Sequence, residues 1–197
     1  MQGRFEFYKD LPVRSTRPER LFLSRFPDAA TSSRVKRFAE RFIGENRLKE
    51  RQLKAERLHV SLHCVGDCWR LRTKFIYAAR RAGEAVSMGP FEATFPCIKS
   101  FERAASINGI PHRQPLVLLG EGGEVLELHK ILGAAMARNG LEAAKSFTPH
   151  MTLLYGSKPI PLQAIEPISF ADKEFALVHS ELGLTRYNII DRWPLED

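Results

Sequence analysis

Hydrophobic and polar positions alternate along several short segments of the chain and recur at helical spacing along others. Alternation and short apolar runs predict strands at residues 20–26, 58–65, 90–101, 115–120, 151–155 and 175–182, with a closing strand after Gly183. Helical spacing predicts three helices, at 32–42, at 67–81 with Asp67 as the cap, and at 125–139.

The order of these elements predicts an α+β fold. A strand, a helix and a second strand occur early in the chain, and a similar arrangement recurs later, which favours two lobes with largely antiparallel sheets and helices packed outside. Pro96 lies within a predicted strand, so that strand should be at a sheet edge or contain a bulge. We expect residues 1–18 to be a lead-in that is loosely attached or disordered, 44–57 to be a charged loop or short extra helix, and 19–197 to be a single two-lobed domain.

Two predicted strands each carry a histidine that is followed two residues later by a hydroxyl. The segment RLHVSLHCVG places His59 and Ser61 on one face of a strand, and FTPHMTLLYG places His150 and Thr152 on one face of another. The residues between them are apolar and would form the buried faces. One such pattern is common by chance, whereas two in strand context indicate a shared site.

Strands of this kind, facing each other across a cleft, would present two imidazoles and two hydroxyls to one small ligand. Histidine titrates nearest to neutrality, so one ring can act as a base while the other acts as an acid. The hydroxyls can donate hydrogen bonds to negatively charged oxygens. This combination suits in-line displacement at phosphorus, where attack and departure occur on opposite sides and each needs a proton-transfer group.

The charge of the chain favours polyanionic partners, because the net charge is +7 and the isoelectric point is near 9.5. Basic residues flank the first histidine pattern: Arg47, Lys49, Arg51, Lys54 and Arg57 precede it, and Arg70, Arg72, Lys74, Arg80 and Arg81 follow it. Glutamates interleave with the first of these clusters, so a solvated surface of mixed charge is the alternative interpretation.

The spacing of the histidines argues against a metal site. On a strand, His59 and His63 would lie about 13 Å apart at roughly 3.3 Å per residue, too far for one shared ion. Neither His-x-His nor Cys-x-x-Cys occurs, and the odd count of three cysteines argues against a disulfide scaffold. We therefore expect no metal and no cofactor.

No apolar run is long enough to cross a membrane, and the N-terminal residues lack the apolar region of a secretory signal. We expect a cytoplasmic protein with neither a membrane partner nor an obligate protein partner.

LHVSLHCVG and FTPHMTLLYG resemble the paired signatures of the two-histidine phosphoesterase superfamily. The resemblance is greatest to the bacterial and archaeal branch called 2′-5′ RNA ligases or RNA 2′,3′-cyclic phosphodiesterases. RLFLSRFPDAA resembles the opening strand of that family, and FALVHSELGLTRYNIIDRWPL resembles its closing strands, so the likeness extends over roughly residues 20–195. It implies a two-lobed fold with the site in a central groove, in agreement with the fold predicted from the patterns.

The resemblance implies that His59 and His150 are catalytic and that Ser61 and Thr152 bind phosphate. Ser61 stands where relatives often have threonine, which preserves the hydroxyl. The further substrate-binding candidates are Phe147, His63, Arg186 and Tyr187. For three of these an alternative stays open: His63 could have no role, Phe147 could be a core residue, and Arg186 could form a surface salt bridge. We expect His112, His129 and His179 to be surface residues or to have satisfied hydrogen bonds.

The activity implied by the resemblance is hydrolysis of a terminal RNA 2′,3′-cyclic phosphate to a 2′-phosphate, without a metal. The reverse reaction would join RNA ends through a 2′-5′ linkage. From the sequence we assign the acid to His59 and the base to His150, and the orientation of the ligand leaves the opposite assignment open. Two alternatives remain: a phosphodiesterase acting on small cyclic nucleotides, and a non-catalytic module that binds RNA or nucleotides.

Overall fold

Eight strands and three α-helices make up the described part of the chain. The computed structural model describes residues 19–69, 71–102, 113–181 and 186–196, so the predicted lead-in at 1–18 and His112 lie outside the described residues. The strands are β1 Glu19–Arg25, β2 Val60–Cys68, β3 Phe91–Ser100, β4 Gln114–Leu119, β5 His150–Gly156, β6 Gln163–Asp172, β7 Glu174–Glu181 and β8 Tyr187–Pro194. The helices are α1 Ala29–Glu45, α2 Thr73–Glu84 and α3 Glu124–Arg138, and a short 3₁₀ turn covers Ala55–Arg57.

The strands form two four-stranded antiparallel sheets, ordered β2-β1-β7-β8 and β5-β4-β3-β6. This arrangement confirms the predicted α+β class. The two strands that carry the histidine patterns, β2 and β5, are each at the edge of a different sheet, and they approach each other. The fold therefore brings both patterns to the junction between the sheets.

The predicted alternation is confirmed over residues 59–62 and 150–153. Val60 and Leu62 are buried on one strand, and Met151 and Leu153 are buried on the other. The intervening residues are only partly buried, because side chains of a strand point alternately to its two faces. Burial of the apolar positions thus turns the histidines and hydroxyls away from the core.

Two expectations about local structure need correction. Strand β6 is absent from the predicted elements, because half of its residues are exposed and Pro167 interrupts its pattern. Asp67 does not cap α2, which begins at Thr73; it lies in β2 and pairs with Arg20. The prediction for Pro96 is confirmed in its second form: Pro96 lies at a shift in register within β3, an interior strand of its sheet, as expected for a bulge.

A buried ion pair joins the two sheets. Arg25 at the end of β1 is 1% exposed, and its guanidinium contacts the carboxylate of Asp172, the last residue of β6. The guanidinium carbon also lies 5.0 to 5.9 Å from the ring centres of Phe91, Phe95 and Phe170. This ion pair connects the two sheets in the protein interior, whereas β2 and β5 approach each other at the sheet edges.

None of the helices in the part of the chain that the structure describes is long and apolar enough to cross a membrane.

Candidate active site

A pocket of about 370 Å³ lies where β2 and β5 meet. Both histidines and both hydroxyls predicted from the sequence line it, together with residues of β1, β7 and β8. Its lining comprises Arg20, Phe22, Arg57, His59, Ser61, Cys64, His150, Thr152, Tyr155, Ser180 and Tyr187. Two strands from different sheets thus contribute matching pairs of side chains to one pocket.

The two imidazoles are held in the same way. The Nδ1 atom of His59 lies 2.7 Å from the carbonyl oxygen of Arg57, and Nδ1 of His150 lies 2.7 Å from that of Thr148. A carbonyl oxygen can only accept a hydrogen bond, so Nδ1–H must be the donor in both rings. In each neutral ring, Nε2 is therefore the nitrogen that can accept a proton, and in each charged ring it can donate one.

Aromatic rings enclose both histidines. Tyr187 meets His59 edge-on with ring centres 5.2 Å apart, and Phe22 lies 5.5 Å from the same ring. Phe101 meets His150 edge-on at 4.8 Å. These contacts restrict rotation of the imidazoles, and the hydrogen bonds at Nδ1 fix the remaining orientation.

The environment of His59 disfavours its charged form. Burial lowers the pKa of His59 to about 4, and the positive charges of Arg57 and His150 act in the same direction, while the hydrogen bond to the Arg57 carbonyl opposes them. Near neutral pH, His59 is therefore a neutral base with its Nε2 lone pair available.

Arg57 and Tyr187 form one side of the pocket, and the guanidinium of Arg57 gives that side a positive charge. The guanidinium carbon of Arg57 lies 4.1 Å from the ring centre of Tyr187. Burial raises the pKa of the Tyr187 hydroxyl, although the charge of Arg57 acts in the opposite direction, so the phenol is a neutral hydrogen-bond donor near neutral pH. Arg20 also lines the pocket, but its guanidinium is engaged by Asp67 through two contacts of 2.6 Å.

Of the further candidates from the sequence, the structure places only Tyr187 in this pocket. His63 is 2% exposed and faces the interior, where its ring stacks on His129 with centres 3.9 Å apart. Phe147 stacks on the other side of His129 at 4.4 Å and packs against the core. Arg186 is exposed and is not among the pocket residues.

The orientation of His63 results from an irregularity in β2. The register between β1 and β2 shifts between Leu23 and Ser24, so the pairing of β2 moves from His63 to Ser61 and the alternation is interrupted there. The stack also corrects the expectation for His129, which is buried and whose Nε2 atom has no hydrogen-bond partner among the described residues. His179 is partly buried and lies 3.5 Å from a carboxylate oxygen of Glu19.

The candidates predicted from the sequence do not include Arg57, Arg20 or Tyr155, which line the pocket. Arg57 had a usable signal, because it lies two residues before His59 and its carbonyl orients that ring. Arg20 and Tyr155 had no such signal in the sequence. Arg20 reaches the pocket through the pairing of β1 with β2, and Tyr155 reaches it through the approach of β5 to β2.

Within the described ranges, no group of three or more His, Cys, Asp or Glu residues is arranged to hold a metal ion. Cys64, which lines the pocket, and Cys97 are free thiols.

Comparison with known proteins finds matches among solved structures only; no protein family and no curated protein matches the sequence. E. coli LigT complexed with 3′-AMP superimposes with a TM-score of 0.69 at 22% identity, over 91% of this chain and 99% of LigT. A crystal structure described as a phosphoesterase matches with a TM-score of 0.66 at 22% identity, over 91% of this chain and 99% of that one.

TT0787 of Thermus thermophilus matches with a TM-score of 0.68 at 19% identity, over 89% of this chain and 97% of that one. The chain therefore has the fold of LigT, which is the fold that the resemblance of its paired histidine motifs implied.

Proposed function

We propose that this protein is a phosphodiesterase that opens the terminal 2′,3′-cyclic phosphate of RNA to a 2′-phosphate. The observation that carries the proposal is the pairing of two imidazoles, each fixed through Nδ1 with Nε2 as its reactive nitrogen, in a pocket that also holds two hydroxyls. The fold shared with LigT and with a phosphoesterase supports it. The region that carries this activity would be one two-lobed catalytic domain over residues 19–197.

The proposed reaction needs one proton acceptor and one proton donor on opposite sides of the phosphorus. One imidazole takes a proton from water as its oxygen bonds to phosphorus, and the other gives a proton to the 3′ oxygen as the P–O3′ bond breaks. Water is consumed, the 2′ ester remains, and the two histidines exchange their protonation states. Joining RNA ends through a 2′-5′ linkage would be the same chemistry in reverse, with a ribose hydroxyl in place of water.

The remaining pocket residues suit the non-bridging phosphate oxygens. The hydroxyls of Ser61 and Thr152 can each donate one hydrogen bond to an oxygen whose negative charge grows in the transition state. Arg57 supplies a positive charge beside the same pocket. Protons, hydroxyls and a guanidinium together would balance the developing charge, so the proposed mechanism uses no metal.

Within this mechanism we propose His59 as the base and His150 as the acid in hydrolysis. The lowered pKa of His59 favours this direction, which is the reverse of the assignment made from the sequence. Were His59 the acid, only roughly one molecule in a thousand would be charged at pH 7 before substrate binds.

This assignment predicts the pH dependence of kcat/KM, which reports the free enzyme. A base whose pKa is about 4 remains deprotonated as the pH falls through the ordinary imidazole range. We expect the acid limb of the profile to lie near pH 4 to 5, with circular dichroism recorded at each pH to show that the fold persists. An acid limb with an apparent pKa of 6.5 or higher would contradict the assignment.

A panel of substrates tests the proposed activity. We expect turnover of an oligonucleotide that ends in a 2′,3′-cyclic phosphate, with the 2′-phosphate as the product identified by phosphorus NMR or mass spectrometry, and undiminished turnover after exhaustive chelation. Turnover confined to small cyclic nucleotides would favour the first alternative. Tight binding without turnover of any member would favour a non-catalytic module and would refute the proposal.

A further inference from the structure

A second pocket adjoins the first and shares Tyr155 with it. Its volume is about 440 Å³, and it is lined by Lys49, Glu50, Arg51, Leu53, Arg113 and Tyr155. Most of these residues belong to the charged segment 44–57, over which the family resemblance is weakest. Arg57 is the residue of this segment that has a role in the proposed reaction.

Hydrogen bonds fix this segment along β5. The amide of Leu53 donates to the carbonyl of Leu153 at 2.7 Å, on the edge of β5 that does not pair with β4. The Glu50 carboxylate accepts hydrogen bonds from the amide and hydroxyl of Ser157 at 3.1 and 3.0 Å. Because Leu153 and Ser157 lie on either side of Tyr155, the segment places its side chains beside the catalytic pocket.

The charge balance of the second pocket is positive. Lys49, Arg51 and Arg113 are exposed, and none of them forms an ion pair with a residue in the described ranges. Glu50 is the one carboxylate in the lining, and its hydrogen bonds from Ser157 lower its pKa and occupy one of its oxygens. Three cations thus surround the cavity against one carboxylate, and none of the three is in an ion pair with a described side chain.

We propose that the second pocket binds the backbone phosphate that precedes the terminal nucleotide of a single-stranded RNA. The cyclic phosphate would occupy the catalytic pocket while the strand passes Tyr155 toward Lys49, Arg51 and Arg113. The inference rests on the proposed function and narrows its substrate class, since it makes an oligonucleotide a better substrate than a cyclic mononucleotide. Segment 44–57 would then supply Lys49 and Arg51 to the second pocket and Arg57 to the catalytic pocket.

The test compares two substrates in one triple variant, Lys49→Gln, Arg51→Gln and Arg113→Gln. We expect kcat/KM for a short RNA ending in a 2′,3′-cyclic phosphate to fall about 10- to 100-fold, because the three cations proposed to hold its backbone phosphate are lost, while kcat/KM for a cyclic mononucleotide changes by less than about twofold. A charge-matched control, Arg138→Gln, Lys145→Gln and Lys173→Gln, neutralises three exposed cations outside both pockets and should leave both values unchanged.

Equal losses on the two substrates, or no loss on the oligonucleotide, would overturn the second pocket while leaving the proposed activity intact. If the wild-type protein turns over neither substrate, the proposed activity fails, and a binding experiment still tests the second pocket. A fluorescently labelled short RNA with a terminal 2′-phosphate should bind with a dependence of log K on log salt whose slope is weaker in the triple variant by about 0.7, the contribution of one neutralised phosphate on a single strand. An unchanged slope would refute the site independently of catalysis.

Discussion

Replacing His59 or His150 by alanine is expected to lower kcat/KM for a cyclic-phosphate RNA by about two to four orders of magnitude. This is the usual range for the loss of a general acid or base, and each imidazole is fixed so that a single nitrogen, Nε2, is available for proton transfer. Steady-state kinetics on the purified variants, with circular dichroism to verify folding, measures the effect.

The loss should be specific to the two pocket histidines. His179→Gln removes a partly buried imidazole on β7 that faces Glu19 and does not line the pocket, so its activity should stay within about threefold of wild type. The kcat/KM values of Ser61→Ala and Thr152→Ala should lie between those of the pocket-histidine variants and that of His179→Gln. We expect losses of about ten- to a thousandfold, since each substitution removes one hydrogen-bond donor to the phosphate. Near-wild-type turnover by either histidine variant would contradict the mechanism.

The largest effect on stability is expected at Arg25 and Asp172. Burial lowers the pKa of the Arg25 guanidinium to about 9, so it is still charged at pH 7. Arg25→Met leaves the Asp172 carboxylate buried without its partner, and Asp172→Ala does the same to the guanidinium. Each single variant should lower the free energy of unfolding by about 3 to 5 kcal/mol, measured by urea denaturation.

The double variant Arg25→Met, Asp172→Ala should recover a large part of that loss, because no buried charge then remains uncompensated. The control is the Arg80–Asp191 pair, whose atoms lie 2.9 Å apart but whose side chains are 46% and 39% exposed. Breaking that pair should cost less than about 1 kcal/mol. Single variants of the buried pair that cost no more than this would show that the contact does not hold the sheets together.

The strands that carry the proposed chemistry could be read from the sequence because their pattern is local. His59 and Ser61 alternate with buried Val60 and Leu62 within a few residues, and the period of two follows from strand geometry alone. Strand β6 lacked that signal over its first half, because residues 163–167 are exposed or only partly buried and include Pro167. Its pairing with β3 stabilises it instead.

His63 shows where the local pattern fails. Counting by twos along β2 places it beside Ser61, but the shift in register against β1 turns it into the interior, where it stacks on His129. A strand's own sequence does not specify such a shift, because the shift depends on how the partner strand pairs with it.

The sequence by itself determined the fold class and the two histidine–hydroxyl pairs, because alternation and helical spacing are properties of neighbouring residues. Only the tertiary structure decided which side chains surround those pairs. Arg57 stands over Tyr187, Lys49 and Arg51 come beside Arg113, and Arg25 meets Asp172. These side chains are far apart in the chain, and they come together only when the order of the strands and the packing of the two sheets place their elements side by side.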